Sequence, residues 1–349
     1  MKRVVIIGGG VFGSMHAYFA LKRGYQVIQC ERDIQAQSAS VRNFGLIWVS
    51  GRESGPELDL AIRSRNLWGE IGELIGDIGF RSNGSLTIAK NEAELAIVYE
   101  AGKMDDAKLR CFDALTRAEV NEIEPALKGN FLGALRCNLD AAVEPNLLFG
   151  GIRKFLLENK NYTWINNFEV SDIKNFSDFF QVEDSFGKSI EGDQVIICTG
   201  AFHKGFLKDA LEGEAIRRVR LQMAATEILP SSIGHSLADG DSFRYYPAFK
   251  NLSLANLPPQ KPIAKAKAMQ LLAVQRLDGS ITIGDTHEYD EPFDHELHEE
   301  PYEHLTEVLT GFLGKSSPKI ARRWEGIYSQ VTSKDIYFRK EIHPGVEIV

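Results

Sequence analysis

A chain of 349 residues is too long for one ordinary core and comfortable for two intertwined domains. Its 40 basic and 48 acidic residues are spread along the sequence and leave a net charge of −8, which argues against a general nucleic-acid or membrane-surface binder. An anionic substrate would need a local basic pocket.

The first apolar run, Val4 to Ile7, passes at once into glycines and a helical pattern, the wrong build for a secretory signal. Later apolar runs are short and broken by charges, so no integral membrane segment is expected. Cys30, Cys111, Cys137 and Cys198 show no C-x-x-C spacing and read as reduced core residues of a cytoplasmic protein.

The opening segment, KRVVIIGGGVFGSMHAYFALKRGYQVIQCER, reads as strand, glycine turn, amphipathic helix and second strand. Val4 to Ile7 form the near-continuous β-branched run of a parallel strand covered on both faces. The helix is predicted from about Gly13 to Arg23 and stops at Gly24. Gly8, Gly10 and Gly13 give G-x-G-x-x-G, with Val11 and Phe12 inside the motif. The glycines allow a tight turn, close approach of backbone to a pyrophosphate, and close packing of helix on strand. Free N–H groups at the helix start would meet the diphosphate. Glu31 lies where a carboxylate can accept from the ribose hydroxyls of an adenosine. Arg32 raises the question of a 2′-phosphate, which Glu31 would repel.

After Glu31 comes RDIQAQSASVRNFGLIWVSG, where Ser38, Ser40, Arg42 and Asn43 lead into Gly45. A simple nicotinamide domain usually goes directly into its next helix. Here hydroxyls and an Arg-Asn pair sit where the chain can run along an extended dinucleotide, although a solvated polar loop would look the same. The A-S-x-R-N-x-G segment from Ala39 to Gly45 resembles that of FAD enzymes of the D-amino-acid oxidase and glycine oxidase family. The resemblance implies a Rossmann-like FAD-binding domain with an inserted α+β substrate domain on an antiparallel sheet. It places this stretch beside the ribityl chain and flavin ring, and the backbone of Val170 at the adenine.

FRSNGSLTIA reads as a hairpin around Asn83-Gly84, followed by helical charged segments that Pro125 closes. A helix is expected near Leu147 to Asn159, then several short strands. Val195 to Cys198 form another buried parallel strand ending at Thr199 and Gly200, whose carboxyl end would return to the cofactor. Taken with the resemblance, the FAD-binding domain is expected at 1–88, 145–215 and 318–349, and the substrate domain at 89–144 and 216–317.

RRVRLQMAATEIL, SFRYYPAF and MQLLAVQRLDGSITIGDT read as strands of the substrate domain, with a turn at Asp278-Gly279. By resemblance Arg276 clamps the acid group of the substrate; a surface charge beside a hairpin turn is the other reading. Tyr246, with Tyr245, is a candidate for closing the pocket or a plain core residue. Family members carry a second arginine after Trp-x-Gly, whereas this chain reads Trp324, Glu325, Gly326, Ile327. That departure admits substrates other than amino-acid carboxylates, and RYYPAF and GDTHEY resemble segments of a branch associated with aminophosphonate breakdown. His287, His295, His298 and His304 stand among acidic residues at loose spacings, and no metal site is expected there.

A helix opening at Pro301 should present Leu305, Val308, Leu309 and Phe312 on one face and stop at Gly314. The sequence then runs to VEIV, a strand whose edges would lack a covering element; in the family a glycine-rich turn and a helix follow, so the resemblance implies a shortened chain, a partial gene or a degenerate protein. The expected activity is FAD-dependent oxidation of a small amine or amino acid, an N-methyl amine and an aminophosphonate included. Hydride would pass from the carbon bearing the nitrogen to flavin N5, with hydrolysis of the imine. Oxygen or an electron carrier would be the acceptor. The alternatives are an NAD-dependent dehydrogenase and a non-catalytic protein of the FAD fold.

Overall fold

The computed structural model describes residues 1–314 and 318–349, which form two compact units. The first comprises Met1–Arg42, Pro145–Val219 and Ile327–Val349; the second comprises Asn43–Glu144 and Arg220–Gly326. The units differ from the sequence-based division at 43–88 and 318–326, which lie in the second unit, and at 216–219, which lie in the first. Residues 315–317, the end of the expected substrate domain, lie outside the described residues.

In the first unit a six-stranded sheet runs in the order Lys340–His343, Val346–Ile348, Gln194–Ile197, Arg3–Ile7, Gln26–Cys30, Tyr162–Ile165. All neighbours are parallel except the first pair. Val4, Val5 and Ile6 are buried on both faces, which is why an unbroken β-branched run suits this position. Val5 and Ile7 join Val195, Ile197, Val346 and Ile348 in a core closed by Val170, Phe180 and Val182 of an antiparallel three-stranded sheet. The helices Val11–Lys22 and Pro145–Leu157 pack on each other and on the strands Gln26–Cys30 and Tyr162–Ile165. The first begins two residues earlier than its sequence pattern predicts, because Val11 already follows the turn made by Gly8 to Gly10. Both edges of Val346–Ile348 are paired and both its apolar side chains buried, which corrects the expectation of an uncovered strand.

The second unit is built on a mixed sheet of eight strands. From one side it runs Ile320–Val331, Ile216–Thr226, Ile281–Gly284, Leu272–Gln275, Ser236–Ala238, Ser85–Ala89, Gly133–Cys137, Phe112–Thr116. Ser236–Ala238 lies parallel on Ser85–Ala89, and antiparallel pairs flank them. The helix Glu299–Leu313 lays Leu305, Leu309 and Phe312 onto Leu86, Ile88, Leu237 and Ile283 of the sheet. Its end at Gly314, with φ +90°, follows the pattern read from the sequence. The turn Asp278-Gly279 joins two antiparallel strands as expected: Ser280 donates its amide and hydroxyl to the Asp278 carboxylate at 2.9 and 2.6 Å.

Two expectations fail in this unit. Asn83-Gly84 is no hairpin turn: Ser85–Ala89 pairs with Gly133–Cys137 and Ser236–Ala238, and Asn83 instead donates to Ser236 Oγ at 3.1 Å. SFRYYPAF is no strand: Asp241–Tyr245 is helical and Pro247–Phe249 forms a 3-10 turn. Aromatic content alone gave the strand reading, and burial of Phe243 against Phe249, edge to face at 5.1 Å, overrides it.

Candidate functional site

Within the first unit, a groove opens at the carboxyl ends of Arg3–Ile7, Gln26–Cys30 and Gln194–Ile197. Gly8 closes the first strand with φ +114°, its N–H donating to the Cys30 carbonyl at 2.7 Å. A Cβ on Gly8 would run into the Cys198 carbonyl, and one on Gly13 would run into the Gly8 carbonyl. Both positions therefore need glycine for space, and Gly8 needs it for conformation as well. Gly10 and Ser40 meet at the helix start, where Ser40 Oγ accepts from the Val11 N–H at 3.1 Å.

Glu31 lies just past the second strand, with its carboxylate buried at the groove. One oxygen accepts from the Gly9 N–H at 2.7 Å and the other from the Asp33 N–H at 3.2 Å. The carboxylate is thus held by backbone and still borders the groove. Val11, Phe12, Arg32, Ser38, Val170, Thr199 and Gly200 line the same groove, while Gly13 lies beneath its floor. Arg32 sits 5.7 Å from the centre of the Phe202 ring, and its Nη2 reaches Ser38 Oγ at 3.4 Å.

Three expected residues are not among those that line the groove. Arg42 is exposed and donates Nε–H to the Gln37 carbonyl at 2.7 Å. Asn43 and Gly45 belong to the second unit, where the Gly45 N–H donates to Asn43 Oδ1 at 2.6 Å and Gly45 takes φ +70°.

Supporting residues that sequence reasoning missed stand behind the glycine turn. Gln29 Nε2 donates to the Gly8 carbonyl at 2.8 Å, and Tyr162 donates its hydroxyl to Gln29 Oε1 at 2.8 Å. Burial raises the Tyr162 pKa, which keeps the phenol a proton donor. Phe202 and Phe206 form an apolar wall of the groove. An available signal was the TGAF stretch, in which Phe202 follows Gly200 by two positions.

The second unit holds the residues expected to grip a substrate. Arg276 donates Nε–H to Thr282 Oγ1 at 2.8 Å, Nη2 to the Asn43 carbonyl at 3.1 Å and Nη1 to the Val143 carbonyl at 3.4 Å. Its charge lies 4.0 Å from Glu144. Burial pushes its pKa down to about 10, which still leaves it charged at neutral pH. All three nitrogens of the guanidinium serve as an internal tie. Tyr246 receives a hydrogen bond from Gln270 Nε2 at 3.3 Å, and its ring lies 5.9 Å from that of Trp48. Glu325, at the departure from Trp-x-Gly-Arg, accepts from Arg220 Nε at 2.7 Å, and Arg220 is itself fully buried.

The four histidines do not converge. His287 and His304 are buried, His298 Nε2 lies 2.9 Å from Asp294, and His295 is 91% exposed. Among the described residues no group of three or more His, Cys, Asp or Glu side chains could hold a metal. Cys30, Cys137 and Cys198 are buried free thiols, whereas Cys111 is exposed, against the expectation of a core residue. Among the described residues no helix is long and apolar enough to cross a membrane.

A glycine turn opening a helix, an acidic residue closing the next strand and a third parallel strand returning with Gly200 define a dinucleotide-binding protein of Rossmann type. Residues 3–349 match the DAO family, FAD dependent oxidoreductase, and the chain belongs to that family. Its cofactor is FAD, and the donor set fits: backbone amides for a diphosphate, a carboxylate for ribose hydroxyls and an apolar wall beside them.

Among curated proteins, the chain is 26% identical over 210 residues to one component of the opine oxidase of Rhizobium meliloti, 56% of each chain. It is 30% identical over 155 residues to glycine oxidase of Bacillus subtilis (strain 168), 42% of this chain and 41% of that one. The matched parts span about half the length of these relatives. Among solved structures, glycine oxidase from Geobacillus kaustophilus superposes with a TM-score of 0.77 at 20% identity, over 100% of this chain and 89% of that chain. At that identity the likeness shows the fold alone.

Proposed function

We propose that the chain binds FAD in the groove of its first unit and oxidises a small amine or amino acid at the carbon bearing the nitrogen. The imine product would then be hydrolysed by water, with oxygen or an electron carrier taking the electrons. The observation that carries this reading is the meeting of the Gly8 to Gly13 turn, Glu31 and Gly200 at the carboxyl ends of three adjacent parallel strands. Bound FAD supplies a two-electron acceptor for the C–H bond beside the nitrogen.

The chain's own residues bind and orient. Glu31 takes ribose hydroxyls on its groove side while the Gly9 and Asp33 amides hold the carboxylate in place. Ser40, seated at the Val11 amide, contributes a hydroxyl at the helix end that favours phosphate. Thr199 and Gly200 let the third strand approach the nucleotide, and Val170 adds a wall. The free thiols are in keeping with a cytoplasmic enzyme.

The test is a spectrum followed by a reduction assay. The purified protein should be yellow, release FAD on denaturation, and lose its flavin absorbance without oxygen when small amines, N-methyl amines, amino acids or aminophosphonates are added. A yellow protein that none of these classes reduces would sink the oxidase reading. A colourless protein that takes up no FAD would sink the groove assignment.

A further inference from the structure

In the second unit, buried polar atoms without partners gather around one carboxylate. Asp285 directly follows the strand Ile281–Gly284, and its N–H donates to the Gln270 carbonyl at 3.1 Å. Its side chain is buried, and Oδ1 has no hydrogen-bond partner. Gln270 spends its amide N–H on the Tyr246 hydroxyl and leaves its own Oε1 without a partner. Across the Tyr246 ring lies Trp48, whose indole N–H is also unpartnered. Gly51 lies against the same ring so closely that a Cβ would collide with it. Each such atom costs free energy in the absence of a ligand, and buried polar groups are ordinarily satisfied.

The neighbouring ring and charged groups spend their hydrogen bonds elsewhere. His287 Nε2 is 3.9 Å from Asp285, but its Nδ1 faces the Ala268 carbonyl at 3.1 Å and must carry the proton there. Nε2 shares a hydrogen bond with the Tyr245 hydroxyl at 2.7 Å, so both ring nitrogens are engaged by groups other than Asp285. Arg52 donates to the Trp48 carbonyl at 3.1 Å and pairs with Glu57 at 3.5 Å. Arg276 is committed to Thr282, Asn43 and Val143. Two buried acceptors without partners, one of them a carboxylate oxygen and the other on a side chain bonded to Tyr246, call for a small group carrying N–H donors, and a carboxylate favours one that is positively charged.

Resting on the amine-oxidation reading above, we propose that Asp285 determines specificity for the substrate nitrogen. The site takes a small primary or secondary ammonium group, which donates N–H to Asp285 Oδ1 and Gln270 Oε1 with Trp48 and Tyr246 as walls. Burial holds the Asp285 carboxyl above its ordinary range, so it is suited to accept a proton from the bound ammonium. In that step one N–H bond breaks and one O–H bond forms, leaving an uncharged amine and a carboxylic acid.

The experiment is calorimetric titration of the FAD-loaded full chain with tert-butylamine and with pivalate. The amine has no hydrogen on its nitrogen-bearing carbon and so binds without turnover, and pivalate matches its shape with a negative charge. The amine should bind at least tenfold more tightly than pivalate, and Asp285→Asn should lose at least tenfold in amine affinity. Equal or tighter binding of pivalate, no binding of the amine, or a smaller loss in the variant would overturn the proposal. Should Asp285→Asn not fold, the contrast between the two probes in the unmodified chain decides, together with Gln270→Leu, for which a fivefold loss is expected. Protein that binds tert-butylamine and is reduced by no amine would sink the oxidase reading and leave this one standing.

Discussion

The groove of the first unit and the polar interior of the second use their charged groups in opposite ways. Glu31 is held by two backbone amides on one side and borders open space on the other, so its geometry is set before any ligand arrives. Arg276, Arg220 and Asp140 turn inward. Asp140 alone accepts from the Val49 and Ser50 amides at 2.6 and 3.0 Å and from the Ser85 hydroxyl at 2.6 Å. In the first unit a charge prepares a surface; in the second, charges such as these tie the chain to itself, while Asp285, like Asp239, keeps one carboxylate oxygen that does neither. A charged residue near a site is therefore no evidence of contact with ligand until its partners are counted.

The comparison can be broken most directly at Gly8. Gly8→Val places a side chain at φ +114° and against the Cys198 carbonyl, and should cost about 3 kcal/mol or more of stability and yield protein without flavin. A melt and a flavin-to-protein ratio like those of the unmodified chain would refute the turn's role.

Arg276→Met should cost about 3 kcal/mol, because carbonyl acceptors and Glu144 lose a buried partner, while the protein stays yellow. If its melting temperature is unchanged and turnover is lost, Arg276 grips substrate after all.

A third test is pH. Burial, then the nearby Asp241 charge, raises the Asp239 carboxyl from 3.8 to about 8. Between those values the unfolded chain has released this proton and the folded chain retains it, so stability falls as pH rises, by about 1 kcal/mol per unit. Denaturant melts between pH 5 and 7 should show this slope, and Asp239→Asn should flatten it.

In the groove, Glu31→Gln should weaken FAD binding by about tenfold to hundredfold, read by titration of flavin fluorescence. Tyr162→Phe, which removes only the outer strut of the glycine turn, should weaken it by about fivefold, equivalent to about 1 kcal/mol. Equal effects for these two variants would mean that the carboxylate acts only as a strut.

Much of the groove was legible in the sequence because its parts lie close along the chain. Gly8, Gly10, Gly13 and Glu31 fall within 24 positions, and strand, turn and helix each leave a local pattern. Val195 to Gly200 was legible as a second strand of the same kind. The struts were not: Gln29 lies in a strand where any residue suits the pattern, and Tyr162 reaches it from 133 positions away. The segment SFRYYPAF misled because aromatic residues favour strands only where a sheet receives them.

The sequence by itself determined a dinucleotide fold, its glycine turn and the acidic residue beside it, since each is a short-range requirement of backbone geometry on residue type. Only the tertiary structure decided which charges are available. Whether Arg276 meets a ligand or three internal acceptors, and whether Asp285 is paired or left with an open oxygen, depends on Asn43, Val143 and Gln270. Those partners are brought up by the sheet and the loops around it, and no spacing along the chain encodes the hydrogen bonds they make.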